Sequence, residues 1–169
     1  MAGTLQAQHI LSRVRNILQD NTGVRWTDGE MFDYLSDAQR EIANLRPDAT
    51  ATHANVQLAT GTEQTIPTDG LRLIKVVRNM SGTATDATGA RAIRYVDIET
   101  LNISDPNWHD PTVAGDAAHG TQVEHYMFEL RVPRKYYVYP GVAGTASVDL
   151  GDSKNPTSIG ANTDLIQVD

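Results

Sequence analysis

The spacing of apolar residues changes once along this chain, at Pro47, and that change dictates what it can fold into. Before Pro47 apolar residues recur every three or four positions, as on one stripe of a helix. After it they alternate and β-branched residues accumulate, as in strands. The order predicts an α+β chain: an N-terminal two-helix hairpin over 1–50, then an antiparallel β domain with long loops over 51–169.

The first helix is expected from Leu5 to Asp20, where Ile10, Leu11, Val14, Ile17 and Leu18 share a stripe, with Thr4 as N-cap. Asp20-Asn21-Thr22-Gly23 ends it. Thr27-Asp28-Gly29-Glu30 has the spacing of a capping box: the Thr27 hydroxyl accepts from the Glu30 amide while the Glu30 carboxylate accepts from the Thr27 amide. An apolar residue just before the cap can pack on Met31 as a staple. The second helix then runs through Met31, Leu35, Ala38, Ile42 and Leu45 until Pro47 disfavours helical geometry at Arg46. Two such stripes need each other or a third element to be covered.

Beyond Pro47, Asn55–Ala59 and Glu63–Ile66 read as a hairpin about Thr60-Gly61-Thr62. Leu71 to Arg78 is the strongest strand and is expected to be central. Residues 81–90 and 110–122 read as loops, Arg91–Val96 as a strand, and Asp97–Asn102 as a short helical turn before the Pro106-Asn107-Trp108 corner. Val123–Leu130, Tyr136–Tyr139 and Thr145–Leu150 complete the strands. Residues 151–163 are loop-like, and only Leu165, Ile166 and Val168 offer anything to bury near the end.

Composition narrows the chemistry. With no cysteine, thiolate metal sites, disulfides and cysteine nucleophiles are excluded. The net charge of -7 is uneven: residues 1–80 hold 8 Lys or Arg against 9 Asp or Glu, and residues 81–169 hold 6 against 12. Tight nucleic-acid binding needs the opposite balance, because its affinity comes from cations that displace counterions. No run approaches the roughly 20 apolar residues of a membrane span, and the N-terminus lacks the basic-then-apolar order of a signal peptide, so the chain reads as soluble and off the membrane.

The five histidines, His9, His53, His109, His119 and His125, lack the i, i+4 spacing of a helical zinc motif and read as surface or hydrogen-bonding groups. Asp97, Glu99, Asp105, Asp110, Glu124 and Glu129 include enough carboxylates for glycoside hydrolysis, but any acidic β protein supplies such a set. No phosphate loop or nucleophile elbow is legible. No catalytic residue, cofactor or metal ligand is therefore assigned. The run Arg131 to Pro140 mixes bases and tyrosines; Arg134, Tyr137 and Tyr139 suit a subunit interface.

One joint pattern is more specific. Arg13 to Asp20, Val24-Arg25-Trp26-Thr27-Asp28-Gly29-Glu30, Leu35 to Ile42 and Arg46-Pro47-Asp48-Ala49, continuing through Pro67-Thr68-Asp69-Gly70 and the strand Leu71 to Val77, resemble the N-terminal region of head-tail adaptor proteins of tailed bacteriophages. The Asp105-to-His109 corner matches more loosely. The resemblance implies a non-enzymatic virion protein of the neck, made in the host cytoplasm. It would form a homo-oligomeric ring, typically a dodecamer, between the portal and a tail or nozzle protein, with DNA passing through the lumen without sequence-specific binding. Acidic walls would let DNA slide without sticking. Arg13, Arg15, Arg40 and Arg46 on the polar helical faces are the expected contact residues, because arginine makes bidentate pairs at interfaces. Relatives often continue into further helices that pack with the N-terminal pair, so the resemblance implies either a protein shorter than that pattern or further C-terminal helices beyond the given sequence. The alternative is a carbohydrate-binding or glycan-hydrolysing tail-associated β-domain using Glu124 or Glu129.

Overall fold

A computed structural model describes residues 5–81, 88–112 and 118–168. Helices α1 (Ala7–Leu18) and α2 (Asp28–Leu45) come first, then a 3-10 turn at Pro47–Thr50. The strands are β1 (Ala51–Gln57), β2 (Gly61–Thr65), β3 (Gly70–Ser81), β4 (Thr88–Ala92), β5 (Arg94–Tyr95), β6 (His125–Phe128), β7 (Lys135–Val142) and β8 (Ser147–Lys154). Helix α3 (Ile98–Ser104) lies between β5 and β6, at the predicted helical turn. The α+β architecture of helical hairpin and β region is as expected. Two compact units divide the chain: Thr52–Asp152, and the residues up to Ala51 together with those from Ser153 onward.

In the helical unit the capping box forms. The Thr27 hydroxyl accepts from the Glu30 amide at 3.4 Å, and the Glu30 carboxylate accepts from the Thr27 amide at 3.0 Å. The expected cap of α1, Thr4, lies outside the described residues; α1 begins after Gln6, whose side chain makes no capping hydrogen bond. Its first amides are satisfied from far away in sequence. Ala7 N–H donates to the Asp164 carbonyl at 2.9 Å and Gln8 N–H to the Asn162 carbonyl at 3.1 Å. The residues after β8 contain no helix among those described, and they cover one side of the hairpin as an irregular segment. Ile159 and Ile166 bury there with Ala7, against Ile10, Phe32 and Leu35. Ser36 and Gln39, both buried on α2, accept from the amides of Ile159 (2.8 Å) and Gln167 (2.7 Å).

The β unit contains two four-stranded sheets, ordered β1-β8-β3-β4 and β2-β7-β6-β5. Their shared core includes Leu73, Val76, Tyr136, Val138, Val148 and Leu150. The expected hairpin of β1 with β2 does not form, because these strands belong to different sheets. The corner between them is fixed by Gln64: its buried amide accepts from Ala59 N–H at 2.7 Å and donates to the carbonyls of Ala59 (2.7 Å) and Gly61 (3.2 Å). Gly61 takes φ +101 there, a backbone region that glycine enters without strain.

β3 is an inner strand as predicted, yet its alternation is not strict: Leu73, Val76 and Asn79 are all buried and Ile74 is exposed. A bulge between Arg78 and Met80 interrupts its register with β4. The single strand expected over Arg91–Val96 splits at buried Ile93, with β4 in one sheet and β5 in the other. β5 pairs parallel with β6, an exception to the antiparallel expectation. Asn79 ties this crossing together by donating to the Arg91 and Val123 carbonyls and accepting from the Val123 amide.

Candidate assembly interface

Beside the surface that the C-terminal segment covers, the hairpin keeps an apolar groove open to solvent. Ile10 and Val14 from α1, Tyr34 and Ala38 from α2, and Trp26 from the connecting loop line an open groove of about 310 Å³. Trp26 and Met31 line the same groove, in the positions expected of a staple. Elsewhere on the hairpin Ile17 is 80% exposed, Val24 85% and Leu45 75%. An isolated exposed apolar residue is ordinary; a contiguous set rimmed by charge marks a surface meant to be covered.

The loop that joins the helices is tied by side-chain bonds to its backbone. The Asp20 carboxylate accepts from the amides of Val24, Arg25 and Trp26 at 2.9, 3.1 and 2.8 Å, which keeps its pKa below the usual carboxylate value, the Trp26 amide contributing most. Arg15 lies between α1 and the start of α2, donating to the Asp20 carbonyl at 3.1 Å and pairing with the Asp28 carboxylate. Its side chain is only 14% exposed, so its contacts are spent inside the chain.

The other predicted arginines stand apart. Arg13 is exposed and makes no ion pair among the described residues. Arg40 bridges Asp37 at 3.0 Å and the Ser158 hydroxyl at 2.6 Å, and Arg46 pairs with Asp48 at 3.0 Å. In the β unit Arg134 donates to the carbonyls of Pro67 and Thr68 and steadies that turn. Tyr137 and Tyr139 are half-buried on one face of β7. Tyr137 meets Trp108 edge-on at 6.0 Å, and the Tyr139 hydroxyl donates to Asp105 at 3.4 Å. Sequence reasoning missed the row Asp33, Asp37, Glu41, all exposed on α2 four residues apart; the spacing was visible, but nothing in sequence shows which flank of a helix remains open.

The acidic candidates are mostly committed to local structure. Asp97 caps α3 through the Glu99 amide at 2.8 Å, Asp110 accepts from Thr112, and Glu124 pairs with Arg91. Glu129 faces Arg131 at 3.9 Å and shares with Asp97, Glu99 and the aromatic residues Tyr95, Phe128 and Tyr137 a cleft of about 350 Å³. His109 stacks on buried Trp108 at 3.6 Å and bonds Thr62 at 2.7 Å, in the packed corner expected. Burial, and secondarily His119, push its pKa below the ordinary value. Among the described residues no group of three or more His, Asp or Glu could hold a metal, and no helix is long and apolar enough to cross a membrane.

Residues 5–169 match the family described as SU10 adaptor protein. The chain belongs to that family. The match extends the head-tail adaptor resemblance read from the hairpin to both units, including the segment after β8 that covers α2. No curated protein matches the sequence. As an SU10 adaptor the chain is a phage structural component, and its exposed hairpin face is the surface of most interest.

Proposed function

We propose that this adaptor forms a homo-oligomeric ring at the head-tail junction of the virion, between the portal and a tail or nozzle protein. DNA crosses its lumen without sequence-specific contact. The observation that carries this reading is the open apolar face of the hairpin, with Ile17 and Leu45 largely in solvent in the isolated chain. Such a face is stabilised by burial against another protein surface. The helical unit supplies contacts to neighbouring copies and to the portal, while the β unit, with its acidic excess, faces the tail. The family's adaptor description supports a structural role without catalysis. Cryo-electron microscopy of virion necks and sedimentation of the purified chain with portal rings test the reading. Density for one ring of this chain beneath the portal is expected, and a chain that neither self-associates nor binds portal rings defeats it.

The aromatic and acidic cleft at Tyr95, Glu99 and Glu129 supports a second reading, a tail-associated glycan site, because sugars stack on aromatic rings and bond carboxylates. Glycan-array binding that Glu129→Gln abolishes would favour it, and binding to no glycan would remove it.

A further inference from the structure

The two outer flanks of the hairpin differ in charge and match in spacing. On α1, His9, Arg13 and Ile17 are exposed at four-residue steps, and the helix Ala7–Leu18 contains no acidic residue. On α2, Asp33, Asp37 and Glu41 are exposed at the same step, with Tyr34 beside them 61% exposed. Of these carboxylates only Asp37 has an ion pair among the described residues, the 3.0 Å bridge to Arg40. Residues four apart form the ridges by which helices interlock, so both flanks carry a ridge of equal pitch, one with the cation Arg13 and no acid, the other with three carboxylates. Apolar groups, Ile17 on one and Tyr34 on the other, stand at corresponding ends.

A closed ring of identical copies repeats one heterologous contact, in which a patch of each copy meets a different patch of the next. Resting on the ring reading above, we infer that the outer flank of α1 packs against the outer flank of α2 in the next copy, with the helices running in opposite directions. This arrangement sets Arg13 against Asp37, His9 near Glu41 and Ile17 on Tyr34. The like-with-like alternative, α2 on α2, places three carboxylates against three carboxylates and is disfavoured by repulsion. The contact buries apolar groups that are exposed in the single chain, and Arg13 set against the middle of the carboxylate row favours this register.

The test is a charge exchange in the full-length chain, read by sedimentation velocity and native mass spectrometry. Arg13→Glu and Asp37→Arg, each alone, are expected to weaken self-association about tenfold or more, while the combined variant recovers most of it. Ile17→Gln weakens it independently of salt, and raised salt weakens the wild type. Unchanged association in both single variants, or a combined variant no better than either, overturns the pairing and leaves the ring reading standing. A wild-type chain that stays monomeric in solution also overturns the pairing. The ring reading falls with it if that chain also fails to bind portal rings. Far-UV circular dichroism confirms that these exposed substitutions leave the helices folded.

Discussion

The Gln39 side-chain oxygen accepts a hydrogen bond from the Gln167 amide at 2.7 Å, across 128 residues of sequence, and Gln39 is buried. Replacing Gln39 with Ala strips that amide of its partner and opens space under the C-terminal segment. A loss of about 1–3 kcal/mol in the helical unit is expected. Denaturant unfolding measures it, and hydrogen exchange at the Gln167 amide should accelerate in the same variant.

Thr27→Ala removes the hydroxyl that accepts from the Glu30 amide. Loss of such a cap costs about 1 kcal/mol of helix stability, and Thr27→Ser should restore most of it. Thermal unfolding of the three chains distinguishes these outcomes.

Acid should loosen the interhelical loop. Asp20 is held below the usual carboxylate pKa chiefly by the Trp26 amide, and Glu30 chiefly by the Thr27 amide. Because both folded pKa values are lowered, their stabilisation is complete above the unfolded values and is lost as pH falls through the folded ones. Stability measured from neutral pH into the acid range should therefore decline more steeply in the wild type than in an Asp20→Asn, Glu30→Gln chain.

Trp108 is fully buried beneath His109, and its indole nitrogen donates to Asn102 at 3.0 Å. Trp108→Ala should cost about 3–5 kcal/mol in the β unit, measured by denaturant unfolding. His109 itself should titrate below the ordinary value of about 6.5 in a proton NMR titration. Since folding opposes its protonation, its contribution is present above the ordinary histidine pKa and is lost as pH falls through the lower folded one.

Surface and core positions of the hairpin should separate cleanly. Leu11, at 5% exposure, loses about 2–5 kcal/mol on change to Ala. Leu45→Gln, at a position 75% exposed, should leave the unfolding midpoint of the single chain within about 0.5 kcal/mol of wild type while reducing self-association.

The hairpin was legible in the sequence because its determinants are local: the stripe Met31, Leu35, Ala38 and the Thr27–Glu30 box lie within a few turns of one another. The β-region errors have the opposite origin. Thr60-Gly61-Thr62 looks like a hairpin turn, and only the buried position of Gln64, bonding Ala59, reveals a corner between sheets. The cover over α2 was legible only as a short apolar group, Leu165, Ile166 and Val168, with Ile159 isolated before it, because nothing local shows that the partners Ala7 and Phe32 lie more than a hundred residues away. Of the arginines expected to make contacts, the sequence did not show that Arg15 is consumed internally, nor that the row from Asp33 to Glu41 stays open.

The stitching of Ala7 to Asp164 and of Gln39 to Gln167 also sets an order of events during synthesis. A ribosome delivers the hairpin first, then the whole β unit, and only afterwards the stretch that seals the other side of α2. Until that stretch emerges, α2 keeps Ser36 and Gln39 without the amides they accept from, so the helical unit is unfinished throughout translation of the β unit. A nascent chain of this design therefore closes its helical unit only with its last residues, when Ile159 and Gln167 reach α2.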